Sequence, residues 1–348
     1  RGSVRLPAML LRPWRLIPWV VVLGAAVVLW SAHVPLPGGR RLDTVTPFAQ
    51  LLAARPLGVV VAALLALVGL GVAQRRRRGV LAPLALLVVA VGAGLQIAPR
   101  AVSSGEPPPS GGRPVTVVTA NVLLSRVEPA AIVALVRRTG ADVVALPEAN
   151  ARTARSYARA LGAAGGEEWR TWSDRGHADD DPSAGPTSML VRAVLGPERL
   201  AEPRAPAGAH GGVRVRLTRG AGGLAGTVIA AVHPRPPYPA ATQAEWRADL
   251  LALRPLCTTA DVIAGDLNAT LDHSPMRQVL GAGCRDSGAE TGQGLRATWS
   301  GGPLGWLRPT IDHVLTGRGQ RALQSGVVGV PGSDHRAVWA RVVRREAG

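Results

Sequence analysis

Lysine is missing from this chain altogether. All 40 basic residues are arginine, which reads as a GC-rich coding bias more than as a binding preference. Cysteine is nearly missing too. With only Cys257 and Cys284, the chain has no Cys/His cluster of the zinc-holding kind. What stays open is one disulfide or two buried thiols. Acids are scarce in one region only. Residues 1–100 hold 12 arginines and a single acid, Asp43, a balance of +11. Residues 101–348 hold 28 arginines and 22 acids, a balance of +6. A basic balance favours anionic partners in general, but most of the +17 excess belongs to the first hundred residues. No internal repeat emerges from the spacing. An initiator methionine is absent, so the true N-terminus is expected to lie upstream.

What those hundred residues do have is long apolar runs. Leu16–Val34 has 19 residues with no formal charge apart from His33, Pro56–Ala73 has 18 and Gly79–Pro99 has 21. A hydrocarbon core of roughly 30 Å is crossed by about 20 apolar residues in a helix. The expectation is a membrane region, 1–99, with three transmembrane helices at about 16–34, 56–73 and 79–99. Arg55, before the second run, can snorkel to the interface. Three such runs bracketed by charge argue against core helices of a soluble protein. The two later runs argue against a cleaved signal peptide.

Arginine placement sets the orientation. Arg1, Arg5, Arg12 and Arg15 precede the first run, and the "RRRR" of Arg75–Arg78 lies between the second and third. Both groups are expected in the cytoplasm. This gives a multi-pass protein of the cell membrane with an extracytoplasmic domain. Residues 100–113, "RAVSSGEPPPSGGR", read as a Pro/Gly-rich linker. Oxidising surroundings then favour a Cys257–Cys284 disulfide.

From residue 114 the pattern alternates. "PVTVVTANVLL" (114–124), "ADVVALPEAN" (141–150), "TSMLVRAVL" (187–195), "GVRVRL" (212–217), "GTVIAAVH" (226–233), "ADVIAGDLN" (260–268), "PTIDHVLTG" (309–317) and "DHRAVWARVV" (334–343) read as strands. "EPAAIVALVRRTG" (128–140), "ARTARSYARAL" (151–161) capped by Asn150, and "AATQAEWRADLLAL" (240–253) read as helices. Residues 163–186 read as a loop. The alternation suggests a layered α/β domain.

The strands share one oddity. Six of them end in polar groups: Asn121, Glu148, His233, Asp266 with Asn268, Asp312 with His313, and Asp334 with His335. One such residue is ordinarily a turn or cap. Buried and unpaired, each would cost kilocalories. Together they fit one convergent site better than six separate turns. Carboxylates and amide oxygens are hard ligands suited to Mg²⁺ or Mn²⁺. Imidazoles beside acids move protons or stabilise an oxyanion. That combination suits attack of water on a phosphoryl centre.

The ordered set "TANV" (119–122), "LPEAN" (146–150), "VHPRPP" (232–237), "GDLNAT" (265–270), "TIDHVL" (310–315) and "GSDHRAV" (332–338) resembles the endonuclease/exonuclease/phosphatase family. The chain looks like a membrane-anchored bacterial member of the type I deoxyribonuclease and exonuclease III-like kind. The resemblance covers about residues 114–343. It implies a four-layer α/β/β/α sandwich of two packed sheets in a catalytic domain, 114–348. It also implies a divalent metal, Mg²⁺ or Mn²⁺, and these roles. Glu148, with Asn121 and Asp334, matches the metal ligands. Asp266 matches the aspartate that positions water, and Asn268 the amide at the scissile phosphate. His335 and His233 match the phosphate-facing histidines, with Asp312 orienting His335. His313 is next to Asp312 on a strand, so it faces the other way and is read as structural. Two features depart from the family. Pro147 stands where glutamine is common. Tyr157 and Tyr238 are the only candidates for the tyrosine of repair nucleases, and neither matches it.

The function implied is a membrane-anchored, metal-dependent phosphoesterase cleaving phosphodiester or phosphomonoester bonds, as an extracellular nuclease. The alternative is a phosphodiesterase or phosphatase of lipid head groups. A catalytically silent binding domain displayed on the membrane is a further alternative, against which the intact polar set argues. The acidic "HADDDP" (177–182) reads as a solvated loop, and Trp299 and Trp306 read as packing residues.

Overall fold

The computed structural model describes residues 16–77, 79–105, 113–174, 185–201, 212–220, 225–300 and 308–345. The first part holds α1 (Ile17–Leu29), the paired β1 (Pro35–Leu36) and β2 (Arg40–Arg41), α2 (Phe48–Ala53), α3 (Arg55–Arg76) and α4 (Leu81–Ile97). Next come β3 (Val115–Thr119), α5 (Pro129–Thr139), β4 (Val143–Leu146), α6 (Ala151–Gly165), β5 (Trp169–Ser173), β6 (Ser188–Arg192), β7 (Pro197–Arg199), β8 (Gly212–Leu217) and β9 (Val228–Val232). The remainder is α7 (Gln243–Ala252), α8 (Leu256–Thr259), β10 (Val262–Asp266), α9 (Ser274–Gly281), β11 (Arg285–Asp286), α10 (Ser287–Glu290), β12 (Asp312–Thr316), β13 (Gln320–Gly329) and β14 (Arg336–Arg344).

Strand alternation builds the layers. Two six-stranded sheets run β13-β14-β3-β4-β6-β5 and β11-β12-β10-β9-β8-β7. β3 pairs parallel with β4, and β9 with β10. Val115, Val117, Val143 and Val191 of one sheet meet Val215, Ile229, Val262 and Val314 of the other in a shared core. The intervening residues point outward. Val118, Val144 and Leu190 pack under Ile132 and Leu135 of α5 and Tyr157 and Leu161 of α6. Ala230, Ile263 and Leu315 pack under Trp246 and Leu250 of α7 and Met276 and Val279 of α9. A period of two on each strand therefore gives two sheets with helices on both outer faces, as expected from the resemblance.

Local signals hold where the sequence carries them. Gly140 closes α5 in the left-handed conformation (φ 67°). The Asn150 side chain accepts the Thr153 N–H at 2.9 Å and caps α6. Cys257 and Cys284 form a disulfide.

Three readings change. The segment read as a loop, 163–186, holds the end of α6 and the edge strand β5. The segment 100–113 is docked at its start: Ser104 N–H reaches Glu290 O at 2.9 Å, and Arg100 pairs with Asp272. Among the described residues of 1–99, two helices are long and apolar enough to cross a bilayer, α3 and the stretch Leu81–Ala101 that begins with α4. α1 has 13 residues, about 20 Å of helix, and the chain then turns through Ser31–His33. So the first expected span is short among the described residues. Small residues let these helices approach closely: Ala62, Ala66, Ala90 and Ala93 are buried between them. Leu64, Val68, Val88 and Leu95 face outward.

Candidate active site

β10 must run very close to β9. A Cβ on Gly265 would lie 1.9 Å from the Val232 carbonyl oxygen, so only glycine fits there. This close approach puts Asp266, at the end of β10, beside His233, which follows β9. β12 pairs antiparallel with β10 and sets Asp312 directly opposite Asp266. Leu267 N–H then bonds to Ile311 O at 2.8 Å.

Asp266 Oδ2 is the hub. Asn121 Nδ2 donates to it at 3.1 Å and to Glu148 Oε1 at 2.8 Å. His233 Nε2 lies 3.7 Å from the same oxygen and His335 Nε2 lies 3.6 Å from it. The other oxygen, Oδ1, accepts the Asn268 N–H at 2.9 Å. Asn268 Nδ2 donates to Pro234 O at 2.9 Å and lies 3.4 Å from His233 Nε2. Glu148 Oε2 accepts the Leu124 N–H at 2.8 Å. Both Glu148 (φ 64°) and Asn268 (φ 49°) hold left-handed backbones, conformations that non-glycine residues keep only where their surroundings impose them.

Asp312 orients the second histidine. His335 Nδ1 lies 2.9 Å from Asp312 Oδ2. Thr298 Oγ1 accepts the N–H groups of Ile311 and Asp312, each at 3.0 Å. Trp299 Nε1 donates to Asp334 Oδ2 at 3.0 Å, and its ring sits 6.3 Å from the His335 ring.

Burial and charge compete at each titrating group. Burial raises the Asp266 carboxyl, but His335 and His233 outweigh it and hold it down at about 2. Burial lowers His335, but Asp312 and Asp266 hold the imidazole up at about 10. Burial lowers His233 as well, and Asp266 more than offsets it, so that ring is raised. Burial raises Asp312, and the Asp266 charge adds to this against the pull of His335. At neutral pH the hub is an anion beside a cationic His335 ring, with the His233 ring, raised by the same carboxylate, on it as well.

The structure brings together Asn121, Glu148, His233, Asp266, Asn268, Asp312 and His335. Asp334 takes the Trp299 N–H on Oδ2, and its charge helps hold the His335 imidazole up. Asn121 Oδ1 accepts the Leu123 N–H at 2.9 Å, so its NH₂ faces the two carboxylates and spaces them. His313 is structural, as expected: Nδ1 meets Asp286 Oδ2 at 2.8 Å and Nε2 meets Ala269 O at 2.9 Å. Tyr157 is in the outer core, its hydroxyl on Val127 O at 2.6 Å, and burial pushes its phenol up to about 12. Tyr238 is exposed. Residues 177–182 and Trp306 lie outside the described residues. Sequence reasoning missed Thr298 because only its neighbour Trp299 stood out in "ATWSG".

The donor set fits a hard divalent cation. Asp266, Asp312 and His335 offer ligand atoms within 4.8 Å of one another. Asp312 is committed to the His335 ring, whose Nδ1 lies 2.9 Å from its Oδ2. The carboxylates of Asp266 and Glu148, bridged by Asn121, are the better pair.

The sequence profile described as "Endonuclease/Exonuclease/phosphatase family" matches residues 118–335, more than half of the chain. A search of curated protein sequences finds no match. Among solved structures, an endonuclease/exonuclease/phosphatase protein from Beutenbergia cavernae DSM 12333 is similar at 20% identity, with TM-score 0.49, over 67% of this chain and 72% of that one. TDP2 from D. rerio, complexed with single-strand DNA product, is similar at 16% identity and TM-score 0.48, over 66% of this chain and 99% of that one. The human Nocturnin catalytic domain with bound sulfate is similar at 12% identity and TM-score 0.46, over 67% and 94%. The profile match settles the classification: this chain belongs to the endonuclease/exonuclease/phosphatase family of metal-dependent phosphoester hydrolases.

Proposed function

We propose that the chain is a membrane-anchored phosphoesterase whose catalytic domain, 114–348, stands outside the cytoplasm on a membrane region, 1–99. The observation that carries the chemistry is the Asp266 hub, with Asn121, His233 and His335 around one carboxylate oxygen. Glu148 and Asp266 would hold Mg²⁺ or Mn²⁺, which when bound supplies charge to neutralise a phosphoryl oxygen. Asp266, kept anionic, orients the attacking water. His233, His335 and Asn268 offer N–H groups to the charge that grows on the phosphoryl oxygens. Asp312 fixes the His335 ring. Asp334 holds Trp299 at the edge of the site.

The orientation needs only α3 and α4. Arg75, Arg76 and Arg77 mark the turn between them, and Arg55 and Arg100 lie at the other end. By the positive-inside rule the turn is cytoplasmic and the domain is outside, whatever α1 does.

Substrate choice lies between nucleic acid and a lipid head group. The loop carrying Asn268 rests on the membrane region through Asp272, His273 and Ser274. This favours a phosphoester at the bilayer surface as the second reading. The test uses the full chain in detergent micelles with Mg²⁺ or Mn²⁺. Bis(p-nitrophenyl) phosphate, single-stranded DNA, and vesicles of sphingomyelin or a phosphoinositide are offered in turn. Hydrolysis of at least one is expected. Failure on all of them with both metals overturns the reading.

A further inference from the structure

The loop from Leu267 to Ser274 leads from Asn268 into α9, and it is held mostly by groups outside the catalytic strands. Trp246 Nε1 donates to Asn268 O at 3.1 Å. His313 Nε2 meets Ala269 O from the other side at 2.9 Å. His273 Nδ1 accepts the Thr270 N–H at 2.9 Å, so its proton is on Nε2, which faces Ala49 O at 2.9 Å. Ser274 gives its hydroxyl to Asp43 Oδ1 at 2.8 Å and its N–H to Asp43 Oδ2. Asp43 and Ala49 belong to the connection between α1 and α3.

At the centre is Asp272, 2% exposed. It takes Arg55 on Oδ1, and Arg100 on both oxygens at 2.9 Å. Arg55 opens α3 and is 2% exposed. Arg100 follows α4. Arg55 also donates to Gln96 of α4 at 2.7 Å. Two guanidinium groups on one buried carboxylate are a poor device for stability alone, because desolvation offsets most of their attraction. Apolar contact would dock two helices more cheaply. What paired charges add is a single register, and here it is set a few residues from a strained site residue.

We propose that Asp272 is a positioning residue for the reaction. Pinned by Arg55 and Arg100 from the two membrane-length helices, it fixes the loop that presents Asn268, so turnover depends on those helices being docked. This rests on the role given to Asn268 above. The membrane region is then part of the working enzyme as well as its anchor.

The test compares the full chain with Asp272→Asn, Arg100→Ala and Arg100→Lys in detergent micelles. Bis(p-nitrophenyl) phosphate and Mn²⁺ are the probes. kcat, KM, the Mn²⁺ dependence and the melting temperature are read for each. Asp272→Asn and Arg100→Ala are expected to lower kcat on the order of 100-fold, the scale of a displacement near 1 Å. The Mn²⁺ dependence stays in place, because Glu148 and Asp266 lie outside the loop. Arg100→Lys recovers most of the rate. Arg100 is partly exposed, with 17% of its side chain accessible. Arg100→Ala therefore decides the matter even if Asp272→Asn does not fold. Wild-type kcat in Arg100→Ala overturns the positioning role alone. So does a loss that Arg100→Lys leaves unrescued and that tracks a lower melting temperature. A wild type with no turnover overturns the hydrolase reading, and this inference with it.

Discussion

Asp312→Asn separates orientation from charge. The substitution keeps the shape and removes one anion from the His335 ring, 2.9 Å away. At an effective dielectric of about 20, unit charges 3 Å apart attract by roughly 5 kcal/mol. That attraction, with the one from Asp266, is what holds His335 up at about 10 against burial. Remove it, and burial acts against Asp266 alone, so the His335 pKa falls. If protonated His335 serves the phosphoryl oxygens, the alkaline limb of kcat/KM starts near pH 10 in the wild type. It moves toward neutral pH in the variant by up to about four units, the equivalent of that roughly 5 kcal/mol. At pH 8 the rate falls on the order of 100- to 1000-fold, the range for losing one preorganised donor. Stability follows the same sign. A histidine raised on folding stabilises fully below its unfolded pKa and loses that contribution as pH rises through about 10. The stability of the variant relative to wild type is therefore lowest near pH 6 and rises as pH climbs toward 10. The assays are a pH–rate profile on bis(p-nitrophenyl) phosphate and urea melts at several pH values. An unshifted alkaline limb with wild-type rate at pH 8 refutes the reasoning.

Other changes probe the frame around the site. Gly265→Ala puts a methyl 1.9 Å from Val232 O; β9 and β10 must part, and the variant is expected to be insoluble or inactive, as expression and melting would show. Replacing Cys257 and Cys284 with alanine opens a disulfide whose cysteines are 27 residues apart, which lowers unfolding free energy by about 3 kcal/mol, measurable by urea titration. Tyr157→Phe removes one buried hydrogen bond to Val127 O and is expected to lower stability by about 1 kcal/mol with kcat unchanged.

Much of this was readable from residues. Apolar β-branched runs gave most of the strands, because a strand buried on both faces needs no polar alternation. The polar residues at their ends were visible because acids, amides and imidazoles recur at the same end of run after run. The rest depended on contacts far apart in sequence. β5 hides behind exposed Arg170 and half-buried Thr171, and β13 is broken up by Gln324, Ser325 and Gly326. The Leu123 N–H, two residues on, takes the Asn121 Oδ1, but no motif says which carboxylates the NH₂ then meets, because they lie 27 and 145 residues away. Nor does any motif tie Asp334 to Trp299. The linker reading failed at its start because Arg100 finds its partner 172 residues away. The length of α1 was missed because apolarity continues past Trp30 where the helix does not.

The central claim is that Asp266 is the working anion of a phosphoesterase. Its most direct test is single-turnover hydrolysis of bis(p-nitrophenyl) phosphate by the full chain with Mn²⁺, wild type against Asp266→Asn. The account predicts measurable hydrolysis by the wild type and a loss of about 100-fold or more in the variant, with a cooperative melt retained. Equal rates from the two folded proteins would contradict it.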